Sequence, residues 1–164
     1  MRYFDLHCDT ITECERNGYR LYQNPLQLSL SDADVYRPWF QCFAVFIPDD
    51  LRGEKASAYF DKVLRYFRKE LEDHQENLHQ CVCAEDFERV EQENGCGAVL
   101  TVEGGAVLAG ELSRISYLAE CGVKALTLTW NGPNELGDGA MSKNPQGLTR
   151  FGRLAVRELE KNRI

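Results

Sequence analysis

The chain has 164 residues, of which 43% are hydrophobic and 27% charged, the make-up of one globular domain with a core and not of a disordered segment. A formal charge of -7, a pI near 5.0 and the lack of any Lys/Arg run exclude the electrostatic footprint of a nucleic-acid binder. Nowhere do 18 apolar residues follow one another, and seven cysteines at scattered positions describe no disulfide framework, so the expectation is a cytoplasmic protein without leader or membrane span, its cysteines mostly small buried hydrophobes.

In chain order, the first predicted element is a strand over Tyr3-Phe4-Asp5-Leu6-His7-Cys8-Asp9-Thr10. Alternate side chains of an extended chain share one face, and a rise of roughly 3.3 Å per residue puts the two backbones about 6.6 Å apart. An imidazole nitrogen of His7 and a carboxylate oxygen of Asp9 can then converge on one cation. An isolated His-x-Asp is more often a strand-end histidine beside a turn aspartate, so the rest of the chain has to decide.

A polar, turn-rich stretch runs to Pro38, after which residues 39–47 read as a nearly continuous apolar strand, buried on both faces and stopped by Pro48. Residues 54–73 carry Phe60, Val63, Leu64, Phe67 and Leu71 on one helical stripe. A short strand near 80–83 and a short helix over 84–93 follow. Cys81 and Cys83 form a C-x-C pair with no second pair at finger spacing, and His74 and His79 are placed on the surface, outside the site.

Residues 97–103 read as another buried strand, closed by Gly104-Gly105, with Glu103 at its carboxyl end. Leu108, Leu112, Ile115 and Ala119 mark a helix that Gly122 ends in the left-handed conformation, and residues 123–130 resume a strand ending in Trp130. A Gly/Asn/Pro-rich loop over 131–147 leads to Thr149, a cap for a last helix bearing Phe151, Leu154, Ala155 and Leu159.

Strands alternating with helices imply a parallel sheet covered by helices, either an open doubly wound sheet or a closed barrel. His7, Asp9, Glu103 and Trp130 all fall at predicted strand carboxyl ends, where barrel enzymes build their sites, and a phosphate-binding Gly-rich turn is missing. The fold expected is therefore α/β, a (β/α)8 barrel of the TIM type, here a partial barrel of about four strand-helix units forming a single unit over 1–164. A carboxylate leaving an apolar strand, as Glu103 does, is costly unless paired, protonated or metal-bound. With His7 and Asp9 it makes a three-ligand set, and it suits the carboxylate that bridges both ions of a two-metal hydrolytic site.

The segments Asp5-Leu6-His7-Cys8-Asp9-Thr10, Val102-Glu103-Gly104-Gly105, Leu126-Thr127-Leu128-Thr129-Trp130-Asn131 and Gly147-Leu148-Thr149-Arg150-Phe151-Gly152, in this order and spacing, together resemble the membrane (renal) dipeptidase family. That resemblance implies a zinc-dependent dipeptidase on an amidohydrolase-type barrel with two zinc ions at its mouth. His7 and Asp9 would hold one zinc, Glu103 would bridge both, and a hydroxide between them would attack the peptide carbonyl of a dipeptide, often one with a D-residue at its carboxyl end.

Two departures qualify what the resemblance implies. In the family a strand ending in Asp-x-Ser-His follows the last helix seen here, and later strands bring a second zinc histidine, a substrate-binding arginine and an acidic proton-transfer residue. A whole barrel takes about 250 residues. The expectation is that these 164 residues cover about half of one, leave the second zinc position incomplete, are inactive in peptide hydrolysis, and self-associate as a homo-oligomer through exposed sheet edges. The second departure is Trp130, where mammalian members have a histidine facing the substrate; Trp130 and Asn131 are candidate pocket residues, with mouth-filling and loop-shaping as the plainer roles for Trp130, Asn131 and Asn134. The readings kept beside the dipeptidase are a deacylase or lactonase using the same metals, and a non-catalytic half-barrel.

Overall fold

The computed structural model describes residues 3–164. Its strands are β1 (Tyr3–Cys8), β2 (Trp39–Phe46), β3 (Leu78–Gln80), β4 (Cys96–Glu103) and β5 (Val123–Thr127). The α-helices are α1 (Thr10–Asn17), α2 (Leu30–Ala33), α3 (Glu54–Asp73), α4 (Ala84–Glu93), α5 (Ser113–Glu120) and α6 (Arg150–Lys161). The strand order is β1-β2-β4-β3 with β5 also on β4, and the pairs β1/β2 and β3/β4 are parallel. Parallel strands alternating with helices give the α/β class of the barrel expected, as a partial barrel.

Contacts gather the chain into two compact units, one running to Val45 and over Val63–Leu100, the other comprising Phe46–Lys62 and Thr101–Ile164. In the first unit, β2 is buried along nearly its whole length, as its apolar run requires. Phe40, Cys42, Cys81, Val90 and Val99 form a cluster against Phe87 of α4, and Phe4 stacks on Phe40 at 5.7 Å. Phe43 meets Phe67 of α3 at 6.3 Å, both fully buried. Glu70, wholly buried on α3, accepts the Leu21 amide at 3.0 Å and pairs with Arg20 Nε at 2.9 Å, which ties the turn after α1 to α3.

In the second unit, Val107, Leu108, Ile115, Leu118, Leu136 and Ala155 are buried. The Tyr117 hydroxyl donates to Asp61 at 3.0 Å, and the Arg114 guanidinium lies 5.2 Å from the Tyr117 ring centre and 3.6 Å from the same carboxylate.

The helix over 54–73 and the one over 84–93 form as the periodicity predicts, and Gly122 follows α5 with φ +84°. Three local expectations are corrected. The stretch after β1 is not merely turn-rich: α1 fills it, with Ile11 and Cys14 buried and Gly18 as its left-handed cap. The helix placed from Leu108 starts at Ser113, because Ala109 and Gly110 both take positive φ and break it, leaving Leu108 in a 3-10 turn. His74 and His79 are only partly exposed and pair with Glu70 at 3.5 Å and Glu93 at 3.1 Å.

Candidate metal centre

His7 owes its placement to an irregularity in β1. Tyr3, Phe4 and Asp5 pair in register with Trp39, Phe40 and Gln41, but Cys8 pairs with Phe43, so Leu6 and His7 together oppose the single residue Cys42. Such a bulge switches the inside–outside alternation, and bulges re-aim side chains near functional sites. Tyr3 and Asp5 thus stand opposite Trp39 and Gln41, and Leu6 and His7 opposite Cys42. The strand predicted to continue through Asp9 ends at Cys8; Asp9 is the residue before α1, with φ -90° and ψ 6° and no side-chain capping bond. What brings the pair together is thus a bulge followed by a helix start, not simple alternation along one strand.

His7 Nε2 lies 3.5 Å from Asp9 Oδ1, with both side chains about half exposed. Asp5 Oδ1 accepts the His7 amide at 3.2 Å, which fixes the bulge. A hollow of about 310 Å³ opens beside them, lined by Asp5, His7, Asp9, Glu13 and Leu26 among others, with no Lys or Arg in its lining. Its electrostatics favour a cation. Burial pushes the neighbouring Cys8 thiol up to about 11, which keeps it neutral.

Glu103 ends β4 in the second unit and is half-buried. The Ile47 amide donates to its carbonyl at 2.8 Å, and the next two amides, of Gly104 and Gly105, donate to Thr127 and Leu128 at 3.0 and 3.1 Å. Gly104 has φ +113°, and a β-carbon on Gly105 would stand 2.6 Å from the Leu128 carbonyl oxygen. The two glycines after Glu103 thus let the end of β4 lie directly against the end of β5, and so fix where the carboxylate emerges.

Trp130 lies beyond β5 instead of in it, 41% exposed, its ring edge-on to Phe46 at 4.9 Å. Asn134 shapes the loop, donating to the Leu128 carbonyl and accepting the Leu136 amide, both at 2.8 Å. The Asn131 carbonyl accepts the Met141 amide at 2.9 Å. Sequence reasoning passed over Asp49, whose carboxylate accepts the Gly132 amide at 2.8 Å and pins the same loop; its position just after Pro48 was the available signal.

A parallel α/β partial barrel with metal-ligating residue types at its strand ends has the fold of the barrel metallohydrolases. The chain belongs to the membrane dipeptidase family, peptidase family M19, whose family model matches residues 1–164. Among solved structures it is similar to the dipeptidase AC, a metallopeptidase of family M19, with a TM-score of 0.86 at 18% identity, covering 97% of this chain and 53% of that one. A metallopeptidase from Rhodobacter sphaeroides, liganded with a phosphinate mimic of the dipeptide L-Ala-D-Ala, gives 0.84 at 17% identity over 97% and 56%. The probable dipeptidase PvdM from Pseudomonas aeruginosa gives 0.81 at 19% identity over 97% and 44%. The chain therefore spans about half the length of these structures, and at such identities the likeness establishes the fold. No curated protein matches the chain.

Proposed function

We propose that this chain carries the first part of a zinc-dependent dipeptidase site, with His7, Asp9 and Glu103 as metal ligands. The observation that carries the reading is the 3.5 Å between His7 Nε2 and Asp9 Oδ1. Two donors bound at about 2.0–2.1 Å to a tetrahedral zinc stand about 3.3–3.4 Å apart, so the pair fits one ion with almost no movement. In support, Glu103 stands at the carboxyl end of β4, the kind of strand end from which barrel enzymes draw their site residues. One imidazole and two carboxylates are a donor set that zinc accepts.

A zinc ion held there would supply Lewis acidity toward a peptide carbonyl and lower the pKa of water. The chain's own residues do the rest. His7 and Asp9 present their donors from a stiffened bulge and a helix start, and Glu103 brings its carboxylate from a strand end locked by the two glycines. Trp130, braced by Phe46, and Asn131 offer a flat apolar wall and an amide for a dipeptide substrate. The 164 residues alone are read as turning over no dipeptide, since the proposed donor set stops at three and the chain spans about half of its solved relatives. Two copies associate through the β1 end of the strand order, where Phe4 and Leu6 are exposed.

Elemental analysis after zinc loading and buffer exchange tests the ligand set. About one zinc per chain is expected, and an His7→Ala, Asp9→Asn, Glu103→Gln triple variant should retain none. Equal retention by that variant would overturn the reading, as would dipeptide hydrolysis by a metal-free chain.

A further inference from the structure

Three Asn-Gly pairs occur in the chain, at 17–18, 94–95 and 131–132. Such a pair carries a reaction of its own, because a glycine has no side chain to hinder the approach of its nitrogen to the preceding side-chain carbonyl. The glycine nitrogen attacks Cγ of the asparagine, the amide NH2 leaves as ammonia with the proton that the glycine nitrogen gives up, and a five-membered imide forms. Water then opens the imide at either carbonyl and leaves aspartate or isoaspartate. The attack needs a free glycine N–H, since the nitrogen must shed its proton and turn toward Cγ.

In the first two pairs the main chain holds that N–H. Gly18 donates to the Cys14 carbonyl as the left-handed cap of α1, and the Asn17 side chain is itself tied down, donating to the Glu13 carbonyl at 2.8 Å. Gly95 donates to the Val90 carbonyl at 3.0 Å just after α4. The third pair differs: Gly132 lies in a loop, and its N–H is held by one side chain, donating to Asp49 Oδ2 at 2.8 Å. The carboxylate opposes the reaction twice. It fixes the plane of the 131–132 peptide, and its negative charge disfavours the anion that would have to form at the Gly132 nitrogen.

Neighbouring bonds keep this peptide within reach of Asp49. The Asn131 carbonyl accepts the Met141 amide at 2.9 Å, and the Arg52 guanidinium donates to the Pro133 carbonyl at 2.6 Å. A β-carbon on Gly139 would overlap the carbonyl oxygens of both Asn131 and Gly132, so the loop closes tightly over them. Asn131 is nonetheless partly exposed, which gives water access to an imide formed there.

We propose that Asn131–Gly132 is an imide-forming modification site and that Asp49 is the residue that keeps it closed. When the clamp opens, the neutral amide at 131 becomes a carboxylate, one more negative charge on a chain already at -7, and the isoaspartate product adds a methylene to the main chain beside Trp130. The chemistry does not depend on the dipeptidase reading, although Asn131 is the residue whose amide that reading offers to the substrate.

Incubation of the 164-residue chain in mildly alkaline buffer, folded and in urea, followed by peptide mapping with mass spectrometry and an isoaspartate assay, tests it. In the folded chain Asn131 should convert about tenfold or more slowly than in urea, and Asp49→Ala should remove most of that protection while Asn17 and Asn94 keep theirs. Asp49→Asn, which keeps the shape and one acceptor oxygen, is the second variant, with a rate at 131 between those of wild type and Asp49→Ala. Equal rates at 131 in the folded chain and in urea would overturn the proposal, as would equal rates in wild type and both variants. Acceleration at all three asparagines together in both variants would also overturn it, because Asp49 would then act through the fold as a whole and not as a clamp on Gly132.

Discussion

His7 Nε2 and Asp9 Oδ1 stand 3.5 Å apart although one belongs to β1 and the other to the residue that precedes α1. Asp9 makes no side-chain capping bond to α1, so its carboxylate is not committed to holding the helix. Asp9→Asn should therefore leave the thermal midpoint nearly unchanged while weakening zinc binding by about tenfold or more, the usual cost of losing one ligand or its orientation. Competition with a chromogenic chelator measures the second effect and differential scanning fluorimetry the first. A variant that loses both in proportion would make Asp9 a structural residue.

Gly152 sits where α6 passes the Leu136 backbone so closely that a β-carbon would overlap the Leu136 carbonyl oxygen. Thr149 caps the same helix, accepting the Gly152 amide at 2.9 Å and donating to the Glu135 carbonyl at 2.7 Å. Gly152→Ala must displace backbone on one side or the other and should cost about 3 kcal/mol, more than the roughly 1 kcal/mol expected for Thr149→Ala at the cap. Urea unfolding of the two variants gives both numbers and their order.

Much of this was legible in the sequence, and the failures have physical causes. β2 and α3 could be read because their signals are local: an unbroken apolar run ending at Pro48, and a stripe of Phe60, Val63, Leu64 and Phe67. Helix α1 was missed because its buried residues, Ile11, Thr12 and Cys14, do not make an apolar stripe; Thr12 is buried by donating to the Ala44 carbonyl at 2.9 Å, a partner no local pattern reveals. His7, Asp9 and Glu103 were singled out from strand-end position, yet the pleat argument behind the first two was wrong in detail. A bulge depends on the register of β1 against β2, which a single strand does not encode. Buried Glu70 and Gln41 were invisible for the same reason: their burial is decided by distant parts of the chain.

The buried thiols make the fold sensitive to alkali. Burial holds Cys14 up to about 11 and Cys81 up to about 12, against an ordinary value of 9.0. In the unfolded chain these thiols ionise near 9, so above that pH unfolding releases protons that the folded state retains. Their contribution is complete below pH 9 and is lost as the pH rises toward 11–12. The urea midpoint should fall between about pH 8 and about pH 10.5, and Cys81→Val, which removes one such group, should flatten that fall.

β1 stands at the end of the strand order and exposes Phe4 at 49% and Leu6 at 75%, two large apolar side chains on a strand that pairs with β2 alone among the described residues. Edges of this kind pair with other chains unless charge or cover prevents it, and proteins blunt them with lysine. Leu6→Lys should therefore shift a sedimentation profile toward monomer, with the far-ultraviolet circular dichroism unchanged. Because Leu6 belongs to the bulge that also places His7, the same variant should be checked for zinc. Dissociation with zinc retained assigns the contact to the edge alone, whereas an unchanged association constant would remove β1 from the interface.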